Sequence, residues 1–318
     1  MYATDIRTIS KQFWLNELLI RSRFLKWEFF DVKSWINFFK ENIDTIKAQP
    51  FVKWVWWKRQ LISQFENLFP KEFNDYFEPF LWGWAVFFNL QKEKSFLSDV
   101  NEELINTYQV IKEKPTELLD FLKSIKHSKE NFLEIRWWDR KKWRPKNHSN
   151  IERAWRFIYL NRTWFNGLYR VNSKWQFNVP IWSYSNPNYV QEGNIINTSK
   201  LLNKTNAEIK LQSFEKVLEK AKSGDFVYFD PPYDVLTESA NFTSYDKSWF
   251  GRDMQEKLRD VFIELDKKWC KVMLSNHNTP FIREIYKWFR FEIVKASRMI
   301  NSNASGRWKI DEIVVLNY

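Results

Sequence analysis

Glycine is scarce in this chain: 6 in 318 residues, where average usage is near ~7%. Cysteine is scarcer still. The single Cys270 excludes an internal disulfide, and neither it nor the three histidines, His127, His148 and His277, falls into a zinc-binding spacing, so no metal is expected. No uninterrupted apolar run approaches membrane-spanning length. The N-terminus has no signal-peptide layout, so a cytoplasmic protein without membrane attachment is expected. Acidic residues are outnumbered, 39 to 50, and the net charge of +11 with a pI near 9.4 points to a polyanionic partner. What the chain has in excess is tryptophan, 19 of them.

The chemistry is concentrated in Asp230-Pro231-Pro232-Tyr233. The apolar run before it, Phe226-Val227-Tyr228-Phe229, reads as a short buried strand. An acid, two prolines and an aromatic thus stand at the carboxyl end of a core strand, where open α/β sheets bind ligands. The prolines fix φ and remove backbone donors, leaving rigid carbonyls that only accept hydrogen bonds. A carboxylate and a fixed carbonyl together can hold both hydrogens of an amino group, with the tyrosine ring stacked on the attached base. Methylation of an exocyclic base amine needs that arrangement. The same four residues are also an ordinary strand-to-turn signal.

Residues 1–49 read as one or two helices without recognisable chemistry, an N-terminal extension of unknown role. After Pro50 comes Lys53-Trp54-Val55-Trp56-Trp57-Lys58 and a helical stretch to Phe69. The strand-like Tyr76-Phe77-Glu78-Pro79-Phe80 leads into Leu81-Trp82-Gly83-Trp84-Ala85 and an apolar helix start. A further strand, Phe96-Leu97-Ser98, ends in Asp99. Strand, loop, helix, strand, acid is the layout of a nucleoside-cofactor site, in which the acid accepts both ribose hydroxyls.

Lys53-Trp54-x-x-x-Lys58, Glu78-Pro79-Phe80, Ser98-Asp99-x-Asn101 and Asp230-Pro231-Pro232-Tyr233 resemble the Dam-type (D12 class, alpha group) DNA adenine-N6 methyltransferases, in order and spacing from about Pro50 to Tyr318. The resemblance implies S-adenosylmethionine as methyl donor, with Trp54, Lys58, Phe80, Gly83, Asp99 and Asp230 contacting it. It implies an α/β fold, the S-adenosylmethionine-dependent methyltransferase fold: a mixed, mostly parallel, doubly wound sheet. An inserted helical plus β-hairpin target-recognition domain is expected over 113–190, between catalytic segments 50–112 and 191–318.

The family's motifs read K-W-x-G-G-K and E-P-F-x-G-G-G, whereas Trp56, Trp57, Trp82 and Trp84 stand here at glycine positions, as do Trp175, Trp182 and Trp308. Trp249, Trp269 and Trp288 also sit where turn chemistry favours glycine. An indole cannot replace a hydrogen atom where backbone touches a ligand or takes positive φ. The 19 tryptophans and 6 glycines together match the glycine count expected for this length plus a few tryptophans. The expectation is that UGA encodes glycine in the source and is rendered here as tryptophan. Trp54 is a tryptophan in the family as well.

From Arg136 to Lys174 there are eleven Lys/Arg against two acids, interleaved with aromatics as on a phosphate-contacting surface. By resemblance this contains the recognition hairpin: Arg170 on a guanine edge, Phe165 and Leu168 wedged into the stack, and Asn166 on a base, with Lys53 reading another guanine. GATC in double-stranded DNA is implied, with a monomeric enzyme and a possible cognate restriction endonuclease. From Glu208 the α/β pattern resumes, with strands at 208–211, 226–229, 271–274, 291–294 and 312–317 and helices near 213–222, 252–267 and 279–287. Asn241 to Tyr245 would form the loop the family closes over the flipped base. The alternatives are an N4-cytosine enzyme, an RNA methyltransferase, or a catalytically impaired DNA-binding relative if the tryptophans are genuine.

Overall fold

The computed structural model describes residues 48–53, 61–81, 85–140, 148–164, 176–182, 187–235, 250–297 and 309–318. The chain forms two compact units, Met1–Lys47 and Ala48–Tyr318. The first, which holds residues 1–47 of the expected N-terminal extension, lies outside the described residues.

The second unit is built on a seven-stranded sheet: β1 Tyr76–Glu78, β2 Ser95–Asp99, β3 Glu208–Leu211, β4 Phe226–Phe229, β5 Lys271–His277, β6 Arg290–Ser297 and β7 Lys309–Leu316. Their spatial order is β3-β2-β1-β4-β5-β7-β6. The first five run parallel, and β7 lies antiparallel between β5 and β6. All four residues of β4 are buried, as a central parallel strand covered on both faces must be. The chain winds outward from β1 through β2 to β3, then returns to place β4 on β1's other side. The order therefore reverses between β1 and β4, and a crevice at their carboxyl ends follows.

Helices α1 Ala85–Leu90, α2 Glu102–Glu113, α3 Pro115–Ser124, α4 Lys129–Arg136, α5 Asn150–Thr163, α6 Glu192–Lys204, α7 Arg252–Lys267 and α8 Pro280–Ile285 accompany the sheet. α7 shows why a sequence with so many charges still folds onto the core. Leu258, Val261, Phe262 and Leu265 recur at helical spacing and bury one stripe against Val227, Val272 and Leu274 of β4 and β5. α5 begins with a reciprocal capping box, Ser149 with Glu152, and packs against α2 and α3. Among the described residues no helix is long and apolar enough to cross a membrane.

The expected strands appear, with altered lengths. β1 stops at Glu78 because Pro79 has no N–H for the ladder. β6 and β7 extend to eight residues each, since their pairing from Arg290↔Leu316 to Ser297↔Lys309 outlasts their apolar centres. β5 continues through Ser275, Asn276 and His277, all three buried. The helix expected near 213–222 is instead a 3₁₀ turn, Phe214–Lys216, followed by a single turn, Val217–Lys220.

Two tryptophans mark opposite environments. Trp164 is fully buried and stacks on Phe177 at 4.2 Å. Trp269 is 80% exposed with φ +61°. It closes α7: its N–H donates to the Asp266 carbonyl (2.8 Å), and the Cys270 N–H donates to the Leu265 carbonyl (3.0 Å). This is the Schellman pairing, whose left-handed position is usually glycine. The neighbouring left-handed position, Gly224 at φ +83°, is a glycine, and a Cβ there would lie 2.7 Å from the Asn74 amide nitrogen. Trp288 is as exposed as Trp269, yet its φ is not positive, so its backbone makes no demand for glycine.

Candidate active site

Three acids gather at the strand ends around the reversal. Asp99 closes β2 and is buried. Its Oδ2 accepts the Leu81 N–H (2.8 Å) and its Oδ1 the Asn101 N–H (2.8 Å). Burial pushes its carboxyl up to about 6, and these N–H groups restrain the rise. The Asn101 side chain in turn caps α2 through the Leu104 N–H, so β2, the loop after β1 and α2 meet at one carboxylate. A carboxylate has about four lone-pair positions. Two remain after the backbone bonds, which fits a vicinal diol such as a ribose.

Glu78 closes β1, also buried. Its Oε2 accepts the Tyr76 hydroxyl (2.8 Å) and the Phe87 N–H (3.1 Å), tying α1 to the strand. Burial pushes it up to about 8, and the charge of Asp230 adds to the effect. The ring of Phe80 packs among Phe214, Phe229 and Phe250.

Across the reversal, Asp230 follows β4. Its Oδ1 accepts the Ser275 hydroxyl (3.1 Å). With that proton engaged, the Tyr228 hydroxyl is the donor in its 2.8 Å bond to Ser275 Oγ. Gln255 of α7 donates Nε2–H to the Pro232 carbonyl (2.7 Å). No such bond reaches the Pro231 carbonyl among the described residues. The Tyr233 hydroxyl donates to Glu312 Oε2 on β7 (2.9 Å), and its ring stands edge-on to His277 at 4.9 Å.

Asp234 then anchors the loop. Its N–H donates to Asn276 Oδ1 (2.9 Å), and its carbonyl accepts from His277 Nδ1 (2.6 Å), which must therefore carry the proton. Its Oδ2 accepts the Thr279 hydroxyl (2.7 Å). Sequence reading missed Gln255, Ser275, Asn276, Thr279 and Glu312. The available signal was the polar Ser275-Asn276-His277 continuing an apolar core strand, the same kind of ending that marks Asp230.

Lys53 precedes the first motif. The Asn161 amide of α5 brackets its backbone: the Lys53 N–H donates to Oδ1 (2.6 Å) and its carbonyl accepts from Nδ2 (2.8 Å). Arg162 donates Nε–H to the Phe51 carbonyl (2.7 Å). The entry to that motif is thus held by the end of α5. An antiparallel bridge, Trp164 to Ile181, and the Trp182 N–H on the Thr163 carbonyl (3.1 Å) follow immediately.

The basic segment divides. Its described arginines all bond protein groups: Arg136 the Val179 carbonyl, Arg140 the Phe177 carbonyl, Arg153 the Glu102 and Glu103 carboxylates, Arg156 the Ile135 and Arg136 carbonyls, and Arg162 the Phe51 carbonyl. Arg153 and Arg156 thereby join α5 to α2 and α4, while Arg136 and Arg140 hold the backbone at 177–179. Trp54, Lys58, Gly83, Phe165, Asn166, Leu168 and Arg170 lie outside the described residues, as do the loop 241–245 and tryptophans 56, 57, 82, 84, 175, 249 and 308. Of the expected site residues, Phe80, Asp99 and Asp230 to Tyr233 come together at the strand ends, while Lys53 is on the segment bound to α5.

A sheet of this order, with acids at the ends of β1, β2 and β4, belongs to the methyltransferase class of α/β folds. The model of the D12 class N6 adenine-specific DNA methyltransferases matches residues 54–300, and the chain belongs to that family. It is 44% identical over 285 residues to a type II methyltransferase of Lactococcus lactis subsp. cremoris, covering 89% of this chain and 99% of that one. A type II methyltransferase of Methanocaldococcus jannaschii is 40% identical over 294 residues, covering 86% and 100%. The DNA adenine methylase of Haemophilus influenzae is 33% identical over 273 residues, covering 85% and 94%. The chain is an adenine-specific DNA methyltransferase by family.

Proposed function

We propose that the enzyme transfers a methyl group from S-adenosylmethionine to N6 of adenine within GATC in double-stranded DNA. The observation that carries this reading is the pair of acids, Asp99 and Asp230, at the ends of two strands that flank β1. Asp99 suits the ribose hydroxyls, with Phe80, Gly83, Trp54, Lys58 and Asp230 completing the cofactor site. When bound, that cofactor supplies an electrophilic methyl group on a sulfonium.

The adenine must leave the stack to reach these groups. Asp230 and the Pro231 carbonyl accept its two amine hydrogens and aim the nitrogen lone pair. The bond from Gln255 to the Pro232 carbonyl supports Pro231 rather than Pro232 as the acceptor of the amine. Tyr233 stacks on the base, and positioning supplies most of the acceleration. Segments 50–112 and 191–318 form the catalytic domain in this reading, and 113–190 the recognition domain, with Lys53, Phe165, Asn166, Leu168 and Arg170 on DNA. The type II designation of two relatives favours a companion restriction endonuclease. The enzyme would act as a cytoplasmic monomer.

We further propose that the glycine-position tryptophans are glycines in the natural protein. Trp269 supports this: a left-handed helix cap bearing a solvent-exposed indole is a glycine site. Two synthetic full-length proteins test both ideas, one as written and one with glycine at 56, 57, 82, 84, 175, 182 and 308. Calorimetry should detect cofactor binding only in the second, and only the second should label GATC duplexes over permuted ones. Equal, tight binding by both would overturn the recoding. Labelling of cytosine, or of all duplexes alike, would overturn the substrate assignment.

A further inference from the structure

The catalytic turn contains two prolines and so offers no N–H at 231 or 232 by which its own backbone could be tied down. Besides the bonds to the Asp230 and Tyr233 side chains and to the Asp234 carbonyl and carboxylate, side chains reach the carbonyl of Pro232 and the N–H of Asp234. Two buried amides do this. Gln255 donates Nε2–H to the Pro232 carbonyl (2.7 Å) and accepts at Oε1 from Asn276 Nδ2 (3.1 Å). Asn276 Oδ1 accepts the Asp234 N–H (2.9 Å) and its neighbour His277 N–H (2.8 Å). Pro232 carbonyl, Gln255, Asn276 and Asp234 N–H thus form one continuous chain around Tyr233, from α7 through the end of β5.

We propose that Gln255 and Asn276 are positioning residues for methyl transfer: a buried amide relay that sets the plane of Tyr233 and leaves the Pro231 carbonyl for the amine. This inference rests on the roles proposed above for Pro231 and Tyr233. Gln255 is fully buried on a helix whose other inward residues, Leu258, Val261, Phe262 and Leu265, are apolar. A polar group in such a stripe needs its partners nearby, because an unpaired buried amide is costly. Here every partner it finds belongs to the catalytic turn or to the residue holding that turn's far end. Reversing the relay is not possible. The Pro232 carbonyl can only accept, so the Gln255 amide has one orientation, and Asn276 must then donate to it.

The test compares Gln255→Met and Gln255→Glu with the glycine-restored full-length parent in single-turnover methyl transfer, with DNA and cofactor binding measured separately. Gln255→Met keeps the volume and loses the donor. It should lower the transfer rate about 100-fold, the size of effect expected from misplacing reacting groups by about 1 Å, with both affinities unchanged. In Gln255→Glu the ionised carboxylate opposes the Pro232 carbonyl, while the protonated acid can donate to it. Its rate relative to the parent should therefore recover as pH falls, whereas the Gln255→Met ratio stays flat. Asp230, Asp234, His277, Arg252 and Glu312 surround the turn in all three proteins, so the ratio to the parent is the quantity to read. Val261→Ala, a core truncation on the same helix, separates stability from positioning and should lower Tm while sparing the rate. Gln255→Met with the parental rate, or with a loss that Val261→Ala reproduces at equal Tm, would overturn the relay. A parent that labelled cytosine would overturn the adenine reading, while a Gln255→Met deficit on that base would still support the relay.

Discussion

The two sides of the reversal in strand order hold their functional groups in opposite ways. At the ends of β1 and β2 the carboxylates are side chains held by backbone: Asp99 by the Leu81 and Asn101 N–H groups, Glu78 by that of Phe87. At the end of β4 the chemistry is partly backbone, and side chains hold it: Ser275, Asn276, Thr279 and Gln255. The difference follows from composition. The first side is rich in free N–H groups at helix starts, which orient and partly stabilise buried charge. The second is built on consecutive prolines, which supply rigid acceptors and no donors. A proline-fixed turn is stiff internally but must be oriented from outside, and the buried polar side chains at the end of β5 supply that orientation.

The largest effect should come from removing the acid on the proline side. Asp230→Ala should abolish methyl transfer and retain DNA binding, because in the proposed mechanism Asp230 acts on the amine and not on phosphates. Transfer within about tenfold of the parent, a barrier change of only about 1.4 kcal/mol, would break the comparison at its centre.

The acid on the other side should respond to pH instead. Asp99 must be ionised to accept two hydroxyls, and burial has moved its titration from an ordinary 3.8 to about 6. Cofactor affinity should therefore rise with pH through about 6 and weaken about tenfold for each unit below it, as for any single protonation competing with binding. Asp99→Asn should remove that dependence along with most of the affinity. In the unliganded fold the contribution of Asp99 has the opposite slope. A carboxyl that holds its proton longer when folded contributes stability in full below 3.8, and that contribution is lost as pH rises through about 6. Calorimetry of the parent, and the difference in Tm between the parent and Asp99→Asn, would contradict the assignment if both rose with pH across this range.

The smallest effect sharpens the contrast between conformational and packing roles. Trp269→Gly relieves a left-handed strain of about 1–2 kcal/mol per residue and removes only an exposed indole, so Tm should rise. Trp164→Ala removes a buried ring stacked on Phe177 and should lower stability by about 3–5 kcal/mol. If both substitutions destabilised the protein alike, Trp269 would be a packing residue and its place among the recoded positions would fall.

Local chemistry made much of this protein legible before any coordinates. Asp230 and Asp99 announce themselves because an acid directly after an apolar strand has few structural reasons to be there. The strands themselves are readable because parallel strands buried on both faces are continuous apolar runs, as in Phe226 to Phe229. The anomalous tryptophans are legible because glycine's role at a ligand or a left-handed turn has no indole equivalent. The sequence also assigned the family, since that assignment depends on motifs in fixed order. Contacts between distant segments needed the fold. Gln255 and Pro232 are 23 positions apart, Asn276 and Asp234 are 42, and Lys53 and Asn161 are 108. Each pair meets through a single hydrogen bond or a bracketing pair of bonds, and a buried amide in a helix or a strand carries no local sign of the partner it serves. Likewise only the tertiary structure shows that the described arginines of the basic segment bond groups of the protein itself. Charge is a property of the residue, whereas what neutralises it is a property of the packing.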